Sequence, residues 1–235
     1  MTNKNNCLIC GGEIIYTQTA KEMECAFCHK TFKSEAQCKN GHFICDECHS
    51  KPAFDIIMEY CLNSKSKNPL EITTELMKHP AIHMHGPEHH VLFPSAMLTA
   101  YYNAGGQIDL KDALEKAQSR GQKVPGGICG MWGDCGAGVS AGIFFSIAAK
   151  SSPMCKEAWG NGNIMTARCL EQIGIIGGPR CCKRNGYVAM LTAIDFAAEK
   201  LGVQMEKPTN LVCTFTHLNK ECIKERCPFH PINNK

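Results

Sequence analysis

The sequence predicts a mostly α-helical domain carrying a small N-terminal zinc-binding module. Three observations support this prediction. Eight side chains of metal-ligand type fall in pairs before residue 50. Beyond Pro52 the apolar residues recur at the three-and-four spacing of amphipathic helices. Strand signals in that second part are scarce, with Leu211–Thr216 the best candidate.

The N-terminal pairs are Cys7 and Cys10, Cys25 and Cys28, Cys38 and His42, and Cys45 and Cys48. C-x2-C-x14-C-x2-C is zinc-ribbon spacing, and Cys38-x3-His42-x2-Cys45-x2-Cys48 supplies four more ligands. Zinc takes four tetrahedral Cys or His ligands, so residues 1–50 are expected to form a zinc-ribbon or treble-clef-like module with two zinc ions. Its large apolar side chains are few, among them Ile9, Ile14, Ile15, Phe27, Phe32 and Phe43, too few for a core without metal. Short strands are expected around Glu13–Thr17 and Thr31–Lys33. Two wirings are open. Sequential wiring joins Cys7, Cys10, Cys25 and Cys28 at one ion and Cys38, His42, Cys45 and Cys48 at the other. Cross-braced wiring joins the first pair to the third and the second to the fourth. An ordinary ribbon loop length favours the sequential arrangement, although C-x-N-G-H-x2-C-x2-C resembles the middle of RING-type fingers.

Residues 51–235 read as one mostly helical, Cys/His-rich domain. Phe54, Ile57, Met58 and Cys61 mark a first helix. Asn68-Pro69 opens a second through Met77, with proline in the first turn. Further helices are expected at Ser95–Tyr102, Leu110–Ser119, Val139–Ala149, Ile164–Ile173 and Cys182–Leu201, the last capped by Gly202. At 235 residues the chain has room for one such core and the small module.

Composition excludes several classes of function. Net charge is +3 and pI about 8.1. In the module Lys4, Lys21, Lys30, Lys33 and Lys39 are nearly cancelled by Glu13, Glu22, Glu24, Glu35, Asp46 and Glu47, so no phosphate-reading face is expected and nucleic acid is not the expected partner. Seventeen cysteines without an apolar leader before Cys7 point to reduced, metal-binding thiols in the cytoplasm. The longest apolar stretch, Ala137 to Ala149, is too short to span a membrane.

Three constellations are candidates for chemistry. HPAIHMHGPEHH places His79, His83, His85, His89 and His90 within twelve residues. Gly86-Pro87 turns the chain between them, so the imidazoles can converge, with Glu88 adding a carboxylate. Gly126 to Gly142 sets Cys129 and Cys135 among glycines before a helix start, where thiol pKa values are expected to be depressed. It lacks the Walker A ending and the strand that a dinucleotide fingerprint needs; close helix packing through Gly138 and Gly142 is the alternative. Finally Cys182 (or its neighbour Cys181), Cys213, Cys222 and Cys227 supply four thiolates, the last followed by proline as in many iron–sulfur ligand runs. A [4Fe–4S] cluster, a third zinc, a redox pair at Cys181-Cys182, or inert burial remain open for this set. Arg180, Lys183 and Arg184 could hold an anion, whereas Trp132 and Trp159 are expected in the core. Cys61, Cys155 and Cys169 stand singly and read as inert thiols.

HMHGPEHHVLFPSAMLTAYYNAGG, GICGMWGDCGAGVSAGIFFSI, GGPRCCKRNGYVAML and NKECIKERCPFHP together resemble an uncharacterised domain family of anaerobic bacteria and methanogenic archaea, found alone or beside SAM-dependent methyltransferase domains. The resemblance covers most of residues 52–232 and implies an anaerobe's metal or sulfur chemistry without an established reaction. A SAM-binding Rossmann pattern is missing, so the chain is not expected to be a methyltransferase by itself.

The function expected from these features is metal-dependent redox, sulfur or one-carbon transfer. His83, His85, His89 and His90 would ligate metal or shuttle protons, and Cys129 and Cys135 would act as nucleophile or redox thiols. Cys182, Cys213, Cys222 and Cys227 would hold a cluster. A small-molecule or protein substrate and a methyltransferase or redox partner fit this reading. The alternatives are a non-catalytic zinc-finger adaptor and a metal chaperone or sensor.

Overall fold

The structure, a computed structural model, describes residues 7–233. Lys4 and the segment on which the leader reading rests lie outside the described residues.

The chain opens with a β-hairpin, β1 (Ile14–Glu24) and β2 (Thr31–Cys38), antiparallel from Ile14↔Cys38 to Glu24↔Thr31 with an irregularity between Tyr16 and Lys21. Both strands run longer than expected, because no turn residue interrupts them before the Cys25 loop and the turn at Asn40-Gly41. The helices follow: α1 (Asp46–Asn63), α2 (Pro69–Met77), α3 (His89–Asn103), α4 (Leu110–Gly121), the single turn α5 (Ile128–Met131), α6 (Gly136–Ala148), α7 (Glu157–Ile176) and α8 (Cys182–Leu201).

Helix α1 begins six residues before Pro52, with Asp46 and Glu47 in its first turn where the helix dipole favours carboxylates. One helix therefore carries Cys48 at its start and the core residues Phe54 and Ile57 further along. Asn68 caps α2 through Oδ1, 3.0 Å from Leu70 N, and Pro69 occupies its first position as expected. Helix α3 is the central rod, buried from His89 through Tyr101. It starts well before Ser95 because Pro94 is tolerated inside it. The carbonyl of His90, which Pro94 cannot reach with an N–H, takes the Ser140 hydroxyl at 3.4 Å instead.

Around α3 pack α1, α2, α4, α6 and α8, and α7 closes the far side against α6 and α8. The α6–α7 contact depends on glycine. A methyl at Gly138 would lie 2.7 Å from Leu170 Cδ2, and one at Gly142 would lie 2.1 Å from Thr166 Oγ1. Close packing thus accounts for these two glycines. Gly202 caps α8 at φ 66°, a left-handed conformation that glycine adopts without strain.

Two expectations fail here. Leu211–Thr216 is not a strand; the chain after α8 is irregular, tied by Cys213 N to Phe229 O at 2.7 Å and by short 3-10 turns. Trp132 and Trp159 are 67% and 54% exposed rather than in the core. No helix among the described residues is long and apolar enough to cross a membrane.

Candidate metal and thiol sites

Two ligand groups form at the hairpin, and they are cross-braced. Cys7, Cys10, Cys38 and His42 make one; Cys25, Cys28, Cys45 and Cys48 make the other, each with its ligand atoms within 4.8 Å of one another. The sequential wiring favoured by loop length is therefore corrected. The reason is strand length. Cys7 and Cys10 precede β1 at the open end of the hairpin, where Ile14 pairs with Cys38. Cys25 and Cys28 form its tip, eight β2 residues away, which is about 26 Å at 3.3 Å per residue. Two knuckles that far apart cannot share an ion. The chain after β2 folds back along the hairpin, with Ala26 N donating to Phe43 O at 2.9 Å, and so delivers Cys45 and Cys48 to the tip.

The distances suit a tetrahedral ion. Cys10 and Cys38 sulfurs are 3.5 Å apart, Cys28 and Cys45 sulfurs 3.8 Å, and His42 Nδ1 is 3.3 Å from Cys10 Sγ. Four sulfurs bound at about 2.3 Å stand about 3.8 Å from each other. Backbone amides of Gly12, Asn40 and Cys45 donate to Cys10, Cys38 and Cys25 at 3.3–3.4 Å, contacts that favour thiolates.

A cleft of about 780 Å³ separates the hairpin from the helical body. Tyr16, Phe32 and Phe43 wall it on one side, and His85, His89, His90, Cys129, Cys135 and Cys182 on the other. Arg180 bridges its mouth, donating to the Tyr16 hydroxyl at 2.5 Å, and Asp46 accepts from Gly126 N at 2.8 Å.

The four histidines of the loop do different things, and only His83 joins a ligand group. His83 Nδ1 lies 3.2 Å from Glu88 Oε1, and His83 N donates to the same oxygen at 2.8 Å. His49, on α1, comes within 3.6 Å of Glu88 Oε2, and its ring centroid is 4.3 Å from that of His83. His49, His83 and Glu88 thus form a third ligand group. Sequence reading missed His49; its only signal is a position directly after Cys48. His85 faces Glu221 at 3.4 Å, and burial with the nearby Arg180 charge pulls its pKa down to about 4. His89 is held at both ends, Nδ1 to Gly86 O at 2.9 Å and Nε2 to Lys183 Nζ at 2.9 Å. His90 spends Nδ1 on Val124 O at 2.8 Å. Its Nε2 edge abuts Gly136, where a methyl would come to 2.1 Å.

Glu88 is fully buried. Burial alone would raise its carboxyl, but His49, His83 and the His89 charge hold it well below the usual range. Gly86 is required beside it, since a methyl there would meet Glu88 Oε2 at 2.1 Å. Lys183 is buried too and donates to His83 O at 2.6 Å; burial lowers its pKa to about 8 against the pull of Cys182 and Glu88. Arg184 is consumed by Gly177 O and Pro179 O at 2.9 Å each. Of the three basic residues considered for an anion, only Arg180 borders the cleft.

The thiols sort into two sets, and one assignment changes. Cys181, not Cys182, joins Cys213, Cys222 and Cys227 around an inner cavity walled by Met84, Phe215, Ile223 and Phe229. Cys181 is the N-cap of α8 and borders both the inner cavity and the cleft, whereas Cys182, one residue on, lines only the cleft, with Cys129 and Cys135. Burial pushes Cys213 up to about 11 and Cys182 up to about 12. The expected depression at Cys129 is not found, because burial and the Cys135 charge raise it. Cys135 caps α6 and accepts from Asn185 Nδ2 at 3.3 Å. Cys61 and Cys169 are buried thiols at about 12.

No curated protein and no solved structure matches this chain. Residues 57–230 match a family of unknown function, DUF5714, and the chain belongs to that family.

Proposed function

We propose that this member of a family of unknown function is a metal-dependent redox or sulfur-transfer enzyme working on a small substrate in the cleft. In this reading the two hairpin groups hold zinc. One is a closed site of three cysteines and a histidine and the other a closed site of four cysteines; they build the module and leave no position for substrate. Cys181, Cys213, Cys222 and Cys227 hold an iron–sulfur cluster in the inner cavity. A single zinc ion would draw sulfurs to about 3.8 Å, whereas a four-iron cluster spreads four thiolates around its corners. The inner four do not form a compact group like the hairpin ligands.

The observation that carries the proposal is the pair Cys181-Cys182. At one helix start Cys181 borders both the inner nest and the cleft, and the adjacent Cys182 lies in the cleft with Cys129 and Cys135. A cluster at the first would sit next to the reacting thiols at the second. Arg180 offers the cleft a cation for an anionic substrate, and Trp132 offers an exposed ring.

The test is iron, labile sulfide and visible absorption of the full chain purified without oxygen. About four irons, with a broad band that bleaches on reduction, are expected. Cys181→Ala should lose them and Cys182→Ala should keep them. Wild-type protein with zinc and no iron would overturn the cluster and bring the adaptor reading forward.

A further inference from the structure

We propose that His49, His83 and Glu88 hold a third mononuclear metal ion, a divalent first-row cation such as Zn2+ or Fe2+, at the seam between the hairpin module and the body. The inference stands apart from the cluster reading, because it uses none of the same side chains.

Three features of the geometry lead to it. First, the three ligand atoms lie within 4.8 Å of one another. A cation bound at 2.0–2.2 Å by nitrogen and carboxylate oxygen keeps tetrahedral neighbours about 3.3 Å apart, and the observed carboxylate–imidazole separations are 3.2 and 3.6 Å. A charge-assisted hydrogen bond would instead draw His49 Nδ1 to about 2.8 Å. Second, Glu88 Oε2 and His49 Nδ1 are buried atoms without a hydrogen bond, and a buried carboxylate oxygen left so costs more than a neutral group would. A cation between them satisfies both. Third, the two imidazoles next to Glu88 in the chain are already committed. His89 is held by Gly86 O and Lys183, and His90 by Val124 O.

Two histidines and one carboxylate leave coordination positions open, as in catalytic rather than structural sites. His49 also lines the cleft, so the third site adjoins it. Because Cys48 and His49 are adjacent on α1, the hairpin ion at Cys25, Cys28, Cys45 and Cys48 sets the position of one ligand of this third site.

Cobalt(II) is the probe. The full chain, stripped of metal, refolded with excess cobalt and desalted, is assayed for cobalt per chain and for thiolate-to-cobalt charge-transfer absorption. His49→Ala and His83→Ala should each carry one cobalt fewer than wild type with the charge-transfer band unchanged, since the lost ion has no sulfur ligand. Equal cobalt in all three proteins would overturn the site. So would a loss accompanied by a weaker band in both variants, which would place the missing ion at cysteine. His83 is remote in sequence from every hairpin ligand, so its variant remains informative if His49→Ala disturbs Cys48. Cluster iron enters neither readout, so failure here and failure of the cluster reading are told apart.

Discussion

In the hairpin module the buried residues are the ligands, and in the helical body they are the hydrocarbons. Cys7, Cys25, Cys38 and Cys45 are at most 5% exposed, whereas Phe27 is 60% exposed, Tyr16 49% and Ile9 42%. The body inverts this pattern, with Phe93, Phe144, Phe145 and Tyr187 fully buried around α3. One region is organised by coordination geometry and the other by apolar burial, and α1 runs through both. The ligand spacings in the module are short and local. The inner thiols of the body come from Cys181, Cys213, Cys222 and Cys227, gathered by the packing of α8 and the tail.

Removal of metal should therefore separate the two regions, and this is the largest effect expected. A strong chelator takes away ions worth on the order of 10 kcal/mol each to a small module. Residues 7–45 should become protease-sensitive while the helical far-UV signal largely persists. If the body's helicity falls in step with the hairpin, the two regions are one folding unit and the contrast fails.

The body has its own polar exception, which gives the next largest effect. Lys183 Nζ bridges His83 O and His89 Nε2 at 2.6 and 2.9 Å in a site without solvent. Lys183→Met leaves both acceptors unpaired and removes a buried positive charge that Glu88 favours. Breaking one partner of such a set costs about 3–5 kcal/mol, read as a lower denaturant midpoint. A loss below about 1 kcal/mol would show that apolar packing alone holds the histidine loop.

Helix packing supplies a smaller effect with an internal control. Gly138→Ala forces a methyl to 2.7 Å from Leu170 Cδ2, whereas Gly160, also helical, has nothing within 4 Å. The first change should destabilise by about 1–3 kcal/mol, and Gly160→Ala should be neutral or stabilise by about 0.5–1 kcal/mol. Equal effects on thermal midpoint would mean that α6 and α7 are not in close contact.

The same contrast explains what was legible in the sequence. Local patterns were readable. C-x2-C knuckles, the Asn68-Pro69 start, the Gly202 cap and the amphipathic face of α8 all express short-range rules. The pairing of the knuckles was not, because hairpin length decides it and the strands read shorter than they are. His49 gave only its place directly after Cys48, since its partners are more than thirty residues away. The choice between Cys181 and Cys182 depends on which way the first turn of α8 faces. Pro94 misled for a related reason: Ser140, fifty residues on, satisfies the carbonyl that a proline inside a helix leaves free.

The smallest effect concerns a thiol that does no chemistry. Cys61 is fully buried on α1, and burial pushes its pKa from 9 up to about 12. A folded pKa above the unfolded one means that the folded chain keeps its proton longer. That stabilising preference is complete below pH 9 and is lost as pH rises from 9 towards 12. The stability difference between wild type and Cys61→Ala should therefore shrink by up to about 1.4 kcal/mol for each pH unit above 9. Denaturant midpoints of the two proteins at pH 8 and pH 10 read it directly, because titrations elsewhere are common to both and cancel. A constant difference across that range would mean that water reaches Cys61, and that the body around α1 is less completely sealed by hydrocarbon than its contrast with the hairpin requires.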